Sequence, residues 1–201
     1  RNMPAWLLVR LIAALMLSKS VVVVRRKGSA AAGVVTAAKA LLWPLAWHGT
    51  CAPLLCPCMV RDGLSSRNAP VLAGMTRAPR LWPGQAPLVV VDLDELQCRG
   101  EEVPAMPQED PAAEAIEQLI AEYRAAVAPH SQVEAVLGMQ KCVQQIIEML
   151  LKQRHREQHE DFYTQLETSS TWQRFLAKHK RKQEEEHKAA QALSSIFEQL
   201  P

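Results

Sequence analysis

Two aspartates, Asp92 and Asp94, stand in the segment VVVDLDE, at the end of a run of β-branched residues. In an extended chain, side chains two residues apart point to the same side, and strand ends in α/β proteins commonly hold functional groups. The pair is a candidate for Mg²⁺ coordination, acid/base chemistry, contact with a partner, or capping of the following turn. Because no nucleophile with a paired base accompanies it, we expect capping or structural hydrogen bonds before partner contact, and metal or catalytic chemistry last.

His155 and His159, in the segment HREQH, are a second candidate pair. Four residues apart on a predicted helix, they share one face, which is a spacing found in metal sites. In the HExxH pattern of metalloproteases the glutamate directly follows the first histidine, whereas Glu157 here would lie on another face. We therefore expect a solvated, charged helix face.

Five cysteines form no CxxC pair and have no histidine partners at zinc-finger spacing: Cys51, Cys56, Cys58, Cys98 and Cys142. The cluster CAPLLCPC lacks a fourth ligand for a tetrahedral metal site, and its prolines favour an extended segment. We expect reduced thiols that pack as small hydrophobic side chains, and neither a metal nor a cofactor.

The first half of the chain has the pattern of an α/β layer. Buried strands are predicted at Val21–Val24 and Leu88–Leu93, where apolar residues follow one another without alternation. Weaker strands are predicted at Thr50–Leu55 and Val71–Met75. A helix with apolar residues nearly all round precedes the first strand, and a second helix, capped by Ser29, follows it.

The second half has a purely helical pattern. An apolar stripe predicts a helix from Asp110 to Pro129, and the S-x-x-E capping box of Ser131 and Glu134 predicts the start of a long one. A third helical stretch is predicted at 160–182, with a break at 168–171. The expected fold is therefore an α/β layer followed by an all-α helical region.

The domain organisation follows from composition and charge. Residues 1–98 hold 11 lysines and arginines against 4 acidic residues, whereas residues 99–201 hold 12 against 17. Two units of opposite balance are predicted, 1–98 and 111–201, joined by a proline-rich linker at 99–110. The basic residues are scattered, which does not favour nucleic-acid binding. The RRKG segment after the first strand is expected to be solvated, with contact to phosphate or an acidic partner as the alternative.

The apolar run at residues 5–24 raises the question of a membrane. Arg10 and the Ser18-Lys19-Ser20 triplet divide it into pieces shorter than the roughly 20 apolar residues of a spanning helix. No small-residue cleavage site follows, which speaks against a signal peptide. Because the chain opens with Arg1, we expect it to be an excerpt of a longer protein.

Four segments, in order and spacing, resemble the central DENN domain. They are SKSVVVV from Ser18, the helix and turn from Val34 that contain LWPLAWH, PVLAGM from Pro70, and VVVDLD from Val89. LWPLAWH and VVVDLD are the most specific of them. The chain departs from the family pattern at Leu45, where phenylalanine is usual, at Cys56, where proline is usual, and in a divergent loop at 57–68.

The helical half resembles the downstream DENN region. The segment DFYTQLETSSTWQRFLAKHK, from Asp161 to Lys180, is similar to the closing helix pair of that region, and Trp172 and Phe175 take its aromatic places. The resemblance covers most of the chain, closely over 18–94 and loosely beyond 110. The upstream lobe of the family has no counterpart in these 201 residues.

The resemblance implies a guanine-nucleotide exchange factor for a Rab-type small GTPase in membrane trafficking. Such proteins grip the switch regions of the GTPase and loosen bound GDP through protein–protein contact, so no catalytic residue, metal or cofactor is expected. Asp92 and Asp94 are the candidate partner-binding residues. The expected location is cytoplasmic, with at most peripheral association with endomembranes.

Two other functions stay open. The first is a DENN-like scaffold or adaptor without exchange activity, which exposed Trp172 and Phe175 side chains would favour. The second is a hydrolase or metal enzyme built on Asp92, Asp94 and the histidines.

Overall fold

The computed structural model describes residues 3–59, 64, 69–80, 87–125 and 129–198. The helices over these ranges are α1 (Ala5–Met16), α2 (Gly28–Leu41), α3 (Glu109–Ala125), α4 (Pro129–Leu151), α5 (Glu160–Thr168) and α6 (Ser170–Glu198). The strands are β1 (Val21–Val24), β2 (Thr50–Ala52), β3 (Val71–Met75), β4 (Val89–Asp92) and β5 (Gln97–Gly100). Short 3₁₀ turns lie at Pro57–Met59 and Arg156–Gln158. The predicted α/β layer followed by a helical region is confirmed.

The strands form one mixed sheet in the order β2-β3-β1-β4-β5. The central strand β1 pairs in parallel with β3 and β4, β2 is parallel to β3, and β5 is antiparallel to β4. The register places Val24 beside Met75 and Asp92, so three parallel strands end together. We call this side of the sheet, with the residues that follow these three, the carboxyl edge.

The valine runs form strands because both faces of the sheet are covered. Val21 and Val23 belong to a large apolar cluster with α1 and α2, whereas Val22 and Val24 pack on the other face with Leu55. All four valines are buried. An uninterrupted β-branched run is the sequence pattern of such a strand.

The edge strands differ from prediction. The strand predicted at Thr50–Leu55 ends at Ala52, because the following Pro53 has no N–H to donate to a ladder. β5 was not predicted, since QCRG has neither apolar alternation nor β-branched residues. It forms because the turn at 93–96 folds the chain back along β4.

Two helix starts also differ from prediction. α2 begins at Gly28 and has no side-chain cap, so the prediction that Ser29 caps it is wrong. α4 begins at Pro129, which suits a first helical turn, so Ser131 lies inside the helix and not at the predicted start. The break predicted at 168–171 is confirmed, because α5 ends at Thr168 and α6 begins at Ser170.

Helix α1 joins the two halves of the chain. Ten of its 12 residues are buried, and one apolar cluster contains α1 together with residues of α3, α4, α5 and α6. The predicted linker also packs, since Val103 and Met106 are buried and Arg10 Nη1 donates to the Val103 carbonyl at 2.6 Å. The boundaries at 98 and 111 stay a prediction, and the core crosses them.

The apolar character of α1 serves this internal packing. Among the residues with described structure, no helix combines the length and the apolar content needed to cross a bilayer.

Candidate functional site

A crevice of about 550 Å³ opens at the carboxyl edge of the sheet. The chain leaves β1 towards β2 and leaves β4 towards β5, in opposite directions across the sheet. Open α/β sheets bind ligands at such a point, outside the carboxyl ends of the strands. The lining residues end or follow β1, β3 and β4, and they are Val24, Arg26, Thr76, Arg77, Ala78, Asp92, Asp94 and Glu95.

Asp92 is the structural member of the predicted aspartate pair. Its Oδ1 accepts hydrogen bonds from the backbone N–H groups of Asp94 at 3.0 Å and Glu95 at 3.1 Å. Its Oδ2 pairs with Arg99 Nη2 at 2.8 Å, and its side chain is only 8% exposed. Both oxygens therefore hold the turn between β4 and β5, which is the capping role expected first from the sequence.

Asp94 positions the chain that leaves β1. Its Oδ2 accepts a hydrogen bond from the Arg26 backbone N–H at 2.8 Å. Two backbone bonds continue the ladder here, from Arg25 N to the Met75 carbonyl and from Leu93 N to the Val24 carbonyl, each at 2.9 Å. The Asp94 side chain is partly exposed and lines the crevice. Asp94 thus fixes the position from which the Arg26 side chain extends.

Arg26, Arg77 and Glu95 give the crevice its exposed charge. The RRKG segment pointed to Arg26, whereas Arg77 and Glu95 were not predicted from the sequence. Arg77 follows β3, and the sequence does not show which strands lie beside β3 in the sheet. The sequence signal that could have indicated Arg77 is its place in TRAPR, directly after the predicted strand VLAGM.

The described lining of the crevice carries the groups of a polar binding site. Thr76 is its one hydroxyl side chain, and it contains no histidine or cysteine. Guanidinium and carboxylate groups lie on the same rim, and such groups form charge-assisted hydrogen bonds with a polar partner.

The histidine pair does not occupy a helix face. α4 ends at Leu151, and His155 has a left-handed backbone with φ of 61° before the second 3₁₀ turn, so the predicted helix over the pair is wrong. His159 precedes α5, and its Nδ1 lies 3.0 Å from the Ala105 carbonyl oxygen. Within the described ranges, no group of three histidine, cysteine, aspartate or glutamate side chains is arranged to hold a metal ion.

The cysteines divide into two groups. Cys51, Cys98 and Cys142 are partly buried against the core, as predicted, and burial raises the pKa of the Cys98 and Cys142 thiols. Cys56 and Cys58 are exposed, so the prediction that they pack as small hydrophobic side chains is wrong. Regular pairing with the sheet ends before them, and a 3₁₀ turn at Pro57–Met59 follows Cys56.

The aromatic side chains of α6 pack inward. Trp172 is 4% exposed, and Phe175 is partly buried with its ring centroid 5.4 Å from that of Trp172. The surface that the scaffold hypothesis expected from these two residues is therefore largely covered.

No protein-family model matches the chain, and no curated protein matches it significantly.

Proposed function

We propose that the protein promotes release of GDP from a Rab-type small GTPase by protein–protein contact at the carboxyl-edge crevice. One observation carries this proposal. Three of the segments that resemble the central DENN domain, SKSVVVV, PVLAGM and VVVDLD, contain the neighbouring parallel strands β1, β3 and β4. The charged residues that follow those strands line a single crevice.

Exchange of this kind needs differential binding and no bond chemistry. A protein that binds the nucleotide-poor conformation of a GTPase more tightly than the GDP-bound one shifts the partner towards release. Each tenfold difference in affinity corresponds to about 1.4 kcal/mol. A few charged contacts at the crevice that form only with the nucleotide-poor conformation are strong enough to supply an affinity difference of this magnitude.

Arg26 and Arg77 are the residues that we assign to partner contact. Both are exposed, and the guanidinium group suits paired hydrogen bonds to carboxylates on a partner. Asp94 acts through Arg26, whose backbone it holds, and Asp92 acts through the turn that carries Asp94. Complementary charges of this kind raise association rates and fix orientation more than they raise affinity.

The cellular setting follows from the same resemblance. A Rab exchange factor works in membrane trafficking, in the cytoplasm and peripherally on endomembranes, where its GTPase is anchored. The crevice charges serve the GTPase in this proposal, and membrane insertion has no part in it.

The alternative function is a DENN-like scaffold or adaptor without exchange activity. Exposed apolar side chains on α3 and α4 favour it, because surface patches of this type mark protein interaction sites. Tyr123, Val133, Val136 and Leu137 are between 40% and 54% exposed. None of these residues lines the crevice, so the two functions use different residues.

The test is release of a fluorescent GDP analogue from a panel of purified Rab GTPases. The protein is added in catalytic amounts, and binding to each nucleotide-free GTPase is measured in parallel. Acceleration of one Rab well above its intrinsic rate supports the exchange-factor proposal. A folded protein that accelerates none of them contradicts it and favours the scaffold.

A further inference from the structure

Cys56 and Cys58 lie side by side at the surface. The 3₁₀ turn at Pro57–Met59, which contains Cys58, is closed by a hydrogen bond from Met59 N to the Cys56 carbonyl at 2.9 Å. The two Sγ atoms are 2.9 Å apart and share a hydrogen bond. Both side chains are exposed. This is a dithiol that no part of the proposed exchange mechanism uses.

The fold holds this turn in place from its N-terminal side. Leu55 N donates to the Gly74 carbonyl at 2.7 Å, and the Leu55 side chain is buried in the smaller apolar cluster. Cys56 therefore follows a fixed residue, which keeps the start of the dithiol turn at the end of β3.

The two thiols are chemically unequal. The hydrogen bond that they share lowers the pKa of the Cys56 thiol and raises that of Cys58. Because the thiolate is the nucleophile in thiol chemistry, the lowered pKa favours Cys56 as the attacking group.

We propose that Cys56 and Cys58 form a reversible thiol–disulfide exchange site for small-molecule disulfides, a property beyond the proposed exchange activity. The Cys56 thiolate attacks one sulfur of the small disulfide, forms a mixed disulfide and releases one thiolate. The Cys58 thiol loses its proton and attacks the Cys56 sulfur, which forms the internal disulfide and releases the second thiolate. The protein dithiol is oxidised by two electrons, and the small disulfide is reduced to two thiols.

The spacing permits the internal bond. A disulfide requires Cα atoms about 4.4–6.8 Å apart. The hydrogen bond from Met59 N to the Cys56 carbonyl curves the chain here, so the two residues lie closer than the roughly 7 Å that two extended residues span. The sulfur atoms already face one another. Closing the bond therefore needs side-chain rotation and no movement of the sheet.

The test uses the full chain under native conditions with oxidised glutathione as the probe. The readout is the intact mass, followed by peptide mapping of residues 53–59. We expect the wild-type protein to lose the mass of two hydrogens, to retain no glutathione and to recover its original mass with excess reduced glutathione. Cys58→Ser should accumulate glutathione on Cys56, since the resolving thiol is gone.

Cys56→Ser and Cys142→Ser complete the design. Cys56→Ser should react more slowly than Cys58→Ser, because the nucleophile has been removed. Cys142→Ser is the matched control, since Cys142 is partly buried, and it should behave as the wild type. A stable glutathione adduct on the wild-type protein, an internal bond to another cysteine, or no reaction would each overturn the proposal. Far-UV circular dichroism confirms that every variant is folded.

Discussion

At the amino edge of the sheet, where residues 17–20 enter β1, the chain is bonded to the start of α6. Ser18 Oγ donates to Thr171 Oγ1 and accepts from the Thr171 backbone N–H, both at 2.9 Å. Ser169 Oγ donates to the Met16 carbonyl at 2.8 Å and accepts from Trp172 N at 3.2 Å. This edge is covered by the helical region.

At the carboxyl edge, the same strands end in exposed charged loops. Arg26, Arg77 and Glu95 extend from it, and the bonds of Asp92 and Asp94 fix the backbone that carries them. The difference separates polar groups that bond internally from charged groups that stay exposed. At the amino edge, serine and threonine side chains form internal hydrogen bonds, whereas at the carboxyl edge Arg26, Arg77 and Glu95 are exposed. Loops on a rigid scaffold commonly carry function, and the proposed function assigns partner contact to the two arginines.

The largest expected effect on stability is at the amino edge. Trp172→Ala removes a side chain that is 4% exposed in the main cluster, and we expect a loss of about 3–5 kcal/mol in the free energy of unfolding. Urea unfolding measures it. The matched control is Trp43→Ala, whose side chain is 59% exposed and whose removal should cost about 0.5 kcal/mol or less. Equal losses of unfolding free energy in the two variants would contradict the inward packing of Trp172.

Substitutions of Asp92 test whether the carboxyl edge also contains a side chain that stabilises the fold. Asp92→Ala removes two turn bonds and the pair with Arg99, so we expect a loss of about 2–3 kcal/mol in stability. Asp92→Asn keeps an acceptor for the turn and should lose about half as much. Glu95→Ala, at an exposed neighbour, should leave the unfolding midpoint unchanged. An Asp92→Ala variant that is as stable as the wild type would contradict the structural role of this carboxylate.

Ser169→Ala probes one bond of the amino edge. The variant loses the hydrogen bond to the Met16 carbonyl and the cap on Trp172 N, which should cost about 1–2 kcal/mol. Ser29→Ala is its control, because Ser29 was predicted to cap α2 and the structure gives that helix no side-chain cap. Thermal unfolding of the two variants should differ by several degrees. If Ser29→Ala were the more destabilised, the assignment of caps would be wrong.

The smallest effect concerns pH. Burial raises the pKa of the Tyr163 phenol, partly offset by the Arg156 charge, and the hydroxyl donates to the Arg154 carbonyl at 2.6 Å. The protonated form is thus favoured in the folded state, so its contribution is complete below about pH 10 and is lost as pH rises through the folded-state pKa. Tyr163→Phe should be about 1 kcal/mol less stable at neutral pH. Its stability should fall less steeply than the wild type's above pH 10, and an identical slope would contradict this account.

The parts that sequence predicts here are those that local chemistry determines. Val21–Val24 and the VVVD run become strands because an apolar run fits only a doubly covered sheet. The capping role of Asp92 was also visible, since a carboxylate two residues before a turn N–H has a natural acceptor geometry. Both follow from residues close in the chain.

The parts that sequence does not predict depend on distant partners. Ser18 and Thr171 are separated by 153 residues, so their bond has no local signal. The crevice needs the strand order β3-β1-β4, which brings Arg77 and Asp94 to one rim. The four-residue spacing of His155 and His159 is typical of a helix, but α4 ends at Leu151 and His155 has a left-handed backbone.

The central claim is that the exposed arginines of the carboxyl edge contact a partner without contributing to stability. Its most direct test is one paired measurement on the protein. The Arg26→Glu/Arg77→Glu variant is compared with Lys39→Glu/Lys180→Glu, which makes the same charge change at exposed positions on α2 and α6. Release of the fluorescent GDP analogue from the responsive Rab and urea unfolding are measured for both. We predict unfolding midpoints like the wild type for both variants, and about a tenfold or greater loss of acceleration only in the arginine variant. Unchanged acceleration in the arginine variant, or equal loss in the lysine variant, would contradict the account.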